Sequence, residues 1–79
     1  MDPLIGQIQL FAFYVPENWV LCDGRTFLIS EYQALFSLLR TSYGGDGQTD
    51  FALPNMVGME PIPGTRYCIC VQGLFPTRM

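Results

Sequence analysis

WVLCDGRTFLISEYQALFSLLRTSYGGDGQTDFALPNMVG, residues 19–58, carries the most local structural information in the chain. Trp19 to Cys22 reads as a short strand. Asp23-Gly24 after it reads as a tight hairpin turn, because glycine accepts the positive φ such turns require. Arg25 to Ile29 is then the expected return strand. Ser30 stands as a helix N-cap with Gln33 three residues on, the spacing of a capping box. A helix is expected over about Glu31 to Thr41, with Leu35, Leu38 and Leu39 on one face and Ala34 and Phe36 flanking them. Tyr43-Gly44-Gly45-Asp46-Gly47 ends that helix, and Gln48, Thr49 and Asp50 continue as a polar loop into Phe51-Ala52-Leu53-Pro54.

Outward from this stretch the pattern changes from helical to extended. Ile5 to Phe13 alternates as a strand with apolar residues on both faces, and Pro16-Glu17-Asn18 forms a turn. Met56 to Gly64 is irregular, studded with Gly58, Pro61, Pro63 and Gly64. Thr65 to Phe75 (TRYCICVQGLF) is the last extended element, with Tyr67, Ile69 and Val71 opposing Cys68, Cys70 and Gln72. Apolar residues on both its faces predict that it is covered on both sides, since such a strand at a sheet edge invites pairing with another chain. The fold class is α+β: one short helix packed on a few β-strands, plus a C-terminal strand.

Composition removes most function classes. The 79 residues include four arginines and seven acids, with no lysine and no histidine, for a net charge of −3. Nucleic-acid binding needs clustered basic residues, and there are none. Without histidine there is no Ser-His-Asp or Cys-His catalysis and no His-based zinc site. No cofactor, metal or enzymatic activity is expected. The apolar N-terminal stretch is shorter than a membrane span and lacks the basic start of a conventional Sec signal peptide. A chain this short buries only roughly 60% of its unfolded surface, so small domains often add disulfides, a metal or oligomerisation. With metal ligands scarce, self-association is the expected route.

Other groups have local explanations. Gly44 to Asp50 (GGDGQTD) lacks the alternate ligands and closing glutamate of an EF-hand, and lacks the lysine of a phosphate loop. It reads as a polar surface loop after a helix, with a ligand or receptor contact as the functional alternative; on that alternative Asp46→Ala is expected to spare folding and weaken binding. Asp23 with Arg25 reads as turn chemistry, and Trp19 as a core residue rather than a ligand platform. Cys22, Cys68 and Cys70 read as buried free thiols, against a bridge from Cys22 to Cys68 or Cys70, or a metal.

The spaced residues resemble the phage tail-collar domain, found in tail fibres and in bacterial microcystin-dependent proteins. Gly6-Gln7-Ile8, Leu10-Phe11, Trp19, Cys22-Asp23-Gly24, Ala34-Leu35-Phe36, Tyr43-Gly44-Gly45-Asp46-Gly47 and Phe51-Ala52-Leu53-Pro54-Asn55 fall in the family's order. The resemblance covers about residues 3–58, and Tyr67 to Arg78 is similar to the terminal strand of longer members. Val57-Gly58-Met59 stands where those members carry a basic run and then a long variable portion, and Asp50 stands where threonine is usual. The chain thus looks like a minimal member. It forms one domain over 1–79, with a collar module at about 3–58, a connector at 56–64 and a C-terminal strand at 65–75.

The resemblance implies a structural or attachment subunit of a phage tail fibre or a related bacterial extracellular assembly. Such a subunit acts by self-association as a homo-oligomer (trimer or fibre), with other tail proteins or a cell-surface receptor as further partners. The alternative is a soluble ligand- or carbohydrate-binding module that grips through its glycine loop. The candidate recognition loop comprises Tyr43, Gly44, Gly45, Asp46, Gly47, Gln48 and Asp50. The candidate self-association residues are Tyr67, Ile69, Val71, Leu74 and Phe75.

Overall fold

A computed structural model describes residues 3–12 and 14–76. Among these residues there are five strands, β1 (Ile8–Ala12), β2 (Trp19–Leu21), β3 (Thr26–Leu28), β4 (Asp50–Ala52) and β5 (Thr65–Cys70), and one α-helix, α1 (Gln33–Leu39). They form two antiparallel sheets, one ordered β1-β5-β2 and the other pairing β3 with β4. The α+β class is therefore as expected.

The last strand is the centre of the larger sheet. Ile69 stands opposite Ile8 on one side and Val20 on the other, and Cys68 stands between Gln9 and Leu21. Residues opposite one another in a sheet point to the same face. Ile8, Leu10, Val20, Tyr67 and Ile69 therefore share the inner face, while Gln9, Phe11, Trp19, Cys68 and Cys70 share the outer one. Cys68, Ile69 and Cys70 are all fully buried, so the apolar pattern on both faces of β5 is satisfied by its own chain.

The paired strand is shorter than the apolar pattern implies. It ends at Cys70, and beyond it Leu74 makes only an isolated parallel bridge to Leu4. At the other end of the chain, Gly6 at φ 89° and a bond from the Gln7 N–H to the Leu4 carbonyl (3.0 Å) turn the backbone before β1 begins. Phe13, the expected end of that strand, lies outside the described residues.

The expected hairpin at Asp23-Gly24 does not form. β2 pairs with β5, whereas β3 pairs with β4. Gly24, at φ 83°, instead turns the chain out of one sheet and into the other. Backbone groups around it bond to the segment after β4: the Leu53 N–H donates to the Arg25 carbonyl (2.9 Å) and the Met56 N–H to the Cys22 carbonyl (2.9 Å). Asp-Gly reports a local turn, but the choice of strand partner belongs to long-range packing.

The helix also starts later than its capping pattern implies. A 3-10 turn occupies Ile29–Glu31, and Tyr32 (φ −137°, ψ 51°) caps α1 with no side-chain hydrogen bond. Ser30 and Gln33 make no capping box. Tyr32 is held by packing instead: its ring stacks on Phe27 at 4.4 Å between centroids. Tyr32, Leu35, Phe36 and Leu39 turn to the core at helical spacing, while Leu38 is partly exposed. Phe51 is fully buried between Phe36 (5.5 Å) and Phe27 (6.4 Å). With Ile5, Cys22, Leu35, Leu53 and Ile69 it forms the core, each large side chain contributing about 1.5–3 kcal/mol of burial.

The three cysteines are free and buried. Burial foremost, with Cys68 and Asp23 adding, pushes the Cys22 thiol up to about 11. It stays protonated at neutral pH and behaves as a small apolar core residue.

Candidate functional site

The glycine loop between α1 and β4 is closed by its own carboxylates. Asp46 Oδ1 accepts the backbone N–H groups of Gln48 (2.8 Å), Thr49 (2.8 Å) and Asp50 (3.0 Å), and Asp50 Oδ1 accepts that of Asp46 (2.9 Å). The glycines let this knot lie against β4. The Ala52 N–H donates to the Gly44 carbonyl (3.1 Å) and the Gly47 N–H to that of Asp50 (3.0 Å). Two acids that looked available in the sequence thus organise the loop, and Tyr43 and Gln48 point outward.

This geometry revises the expectation that Asp46→Ala spares folding. The amides of Asp50, Thr49 and Gln48 hold the Asp46 carboxyl down to about 2, below the ordinary 3.8. A depressed folded-state value stabilises the fold above pH 3.8 and loses that contribution as pH falls toward 2. Wild-type melting temperature should fall across that window. Asp46→Ala should lower it at pH 7 and flatten the acid limb. Asp23 leaves a residual slope, because its bonds to Arg25 also lower its carboxyl. A variant melting with wild type at pH 7 would show that the carboxylate does not hold the loop.

Asp23 and Arg25 form a two-pronged ion pair, Nε to Oδ1 at 2.9 Å and Nη2 to Oδ2 at 2.8 Å. It is solvent-exposed, serves the turn, and is worth little to stability.

The candidate self-association residues divide by exposure. Ile69 is fully buried in the chain's own core, where it cannot touch a partner directly. Tyr67 and Val71 are half-buried and pack against that core, while Leu74 and Phe75 are 53% and 54% exposed. Leu74 is joined to the N-terminal segment, its N–H donating to the Pro3 carbonyl (3.0 Å) and its carbonyl accepting the Ile5 N–H (2.8 Å). Exposed Leu4, Leu74 and Phe75 thus come from both ends of the described chain. A second exposed apolar set, Val57, Met59 and Ile62, lies in the irregular connector.

Two clefts open beside Trp19. One, of about 540 Å³, lies between the start of α1 and the sheet, with Ile5, Val20, Leu35 and Val71 among its apolar residues and Glu31 and Gln72 among its polar ones. The other, of about 420 Å³, lies on the outer sheet face over Gln7, Gln9, Phe11 and Tyr14. Trp19 is half-buried and meets Phe11 edge-to-face at 4.9 Å, so it is neither a buried core residue nor a free one. The outer cleft escaped the sequence reading because β1 carries apolar residues on both faces, which hides the solvent side.

Among the described residues no group of three or more Cys, Asp or Glu is placed to hold a metal ion. Among the described residues no helix is long and apolar enough to cross a membrane. Residues 6–61, more than half of the chain, match the model of the Phage Tail Collar Domain family. A comparison with curated proteins finds no match.

Proposed function

The chain belongs to the phage tail collar domain family, and from that premise we propose that it is a structural or attachment subunit of a phage tail fibre or a related bacterial extracellular assembly, acting by self-association. Family membership carries the placement. The surface supports the association: Leu4, Val57, Met59, Ile62, Leu74 and Phe75 are all more than 40% exposed on a chain of only eleven charged residues. β1 adds a second argument. It is an edge strand of five residues (IQLFA) with no charge and no proline, the devices that normally keep an edge from pairing with another chain. The role is structural rather than catalytic, and it is exercised on a virion tail or an extracellular assembly. A receptor or other tail proteins are its remaining partners.

The weaker reading is a ligand grip at Gly44 to Asp50. Asp46 Oδ1 and Asp50 Oδ1 already accept the backbone N–H groups of Asp46, Gln48, Thr49 and Asp50, so those loop amides are not free to grip a ligand.

Light scattering on the full chain should give a mass that is a multiple of 8.9 kDa. Leu74→Glu with Phe75→Glu should shift it toward the monomer with the fold retained, because both side chains are already exposed. A wild-type monomer throughout the micromolar range would overturn the proposal.

A further inference from the structure

Gln7, just before β1, and Gln9 and Phe11 on its outer face follow at every second residue, and Trp19 reaches the same face from across β5. The two glutamine amides are fixed by a short chain of hydrogen bonds. The Leu4 N–H donates to Gln7 Oε1 (3.1 Å), and Gln7 Nε2 donates to Gln9 Oε1 (3.0 Å). Gln9 Nε2 is left to present its N–H groups outward, with no partner among the described residues. Phe11 and Trp19 brace each other at an interplanar angle of 77°, and Tyr14, 64% exposed, forms a further wall of the cleft. Pro3 and Pro16 stiffen the rim.

We propose that this cleft is a saccharide-binding site, and that its ligand is a neutral oligosaccharide. The residues that line it carry no charge; Arg66, opposite Phe11 on the same face, is exposed but is not among them. A pyranose ring offers an apolar C–H face for the aromatic walls and hydroxyls for the outward amide, the combination of apolar lining and few fixed polar groups that small-ligand sites use. A purely apolar partner surface would cover the Gln9 amide without satisfying it, which is costly. Nucleic acid is disfavoured by the net charge of −3. Phe11, Trp19 and the two glutamine amides are already held in place, so binding orders few side chains besides Tyr14. The site is separate from the glycine loop and does not rest on self-association.

Trp19 is the one tryptophan of the chain and lines both clefts, so its fluorescence detects a ligand in either, and variants of Gln9 and Tyr14, which line only the outer cleft, assign the signal. The full-length protein, in whatever oligomeric state it adopts, is titrated with cellotriose, maltotriose and chitotriose, and with trigalacturonate as an anionic counterpart. At least one neutral trisaccharide should shift Trp19 emission saturably, and the anionic one should not. Gln9→Ala and Tyr14→Ala, both at exposed positions, should each weaken that binding about tenfold, the equivalent of one lost hydrogen bond or ring contact, with unchanged melting temperature. No shift with any of the three neutral sugars up to tens of millimolar would overturn the proposal. So would equal binding of trigalacturonate, or binding that survives both variants. Light scattering on the same samples reads the oligomer separately, so loss of this site and loss of self-association are distinguishable.

Discussion

Ile69→Asp should abolish folding at neutral pH. Ile69 is fully buried on the inner face of the central strand, with Ile8 and Val20 opposite it on either side. An aspartate there loses the apolar contact, at about 2–5 kcal/mol by analogy with large-to-small core changes. It also leaves an unpaired carboxylate out of water, worth a further ~3–5 kcal/mol or a forced protonation. A domain of this length is stable by roughly 4–12 kcal/mol, at 0.05–0.15 kcal/mol per residue. The two losses together, about 5–10 kcal/mol, are comparable with that whole margin. Far-ultraviolet circular dichroism and amide spectra should show an unfolded or aggregated chain. Ile69→Val, which keeps the apolar character, should cost only about 0.5–1.5 kcal/mol. A folded aspartate variant would mean that β5 is not the centre of the sheet.

Gly45→Ala carries the second largest effect. Gly45 adopts φ 94°, and a Cβ there would fall on the Phe51 Cα, with the Asp50 carbonyl oxygen 2.9 Å away. Those are backbone atoms of β4 and cannot swing aside. The left-handed conformation costs about 1–2 kcal/mol for an alanine, and forcing the loop off β4 adds about 1–3 kcal/mol. Gly58 is the internal control. Its φ is 90°, but nothing lies within 4 Å of its Cβ position, so Gly58→Ala meets the conformational cost alone. Urea denaturation with unchanged slope should therefore rank Gly45→Ala well below Gly58→Ala in midpoint. Equal losses at the two sites would show that the loop does not press on Phe51.

These two positions also mark where sequence and tertiary structure divide the work. The three glycines between Tyr43 and Gln48 are a local signal, because positive φ is a property of single residues. The loop was therefore legible before any fold was known. The same holds for the extended character of Thr65 to Cys70, for a short helix centred on Leu35, and for the family resemblance over the same segments. The role of Asp46 was less legible. A surface acid and a loop-organising acid look alike until the neighbouring N–H groups are in place.

What the chain by itself determined was therefore local: where it extends, where it coils into a helix, where it must turn, and that it is poor in charge and lacks histidine. Only the tertiary structure decided which strands pair, that α1 begins after Tyr32 rather than after Ser30, and that Gln9 and Phe11 share a face with Trp19. The physical reason is the same in each case. Backbone preference and side-chain periodicity act over a few residues. Pairing β2 and β1 with β5, stacking Tyr32 on Phe27, and turning Gln7, Gln9 and Phe11 outward depend on contacts between segments far apart in the chain, whose energies are settled only when the whole core closes.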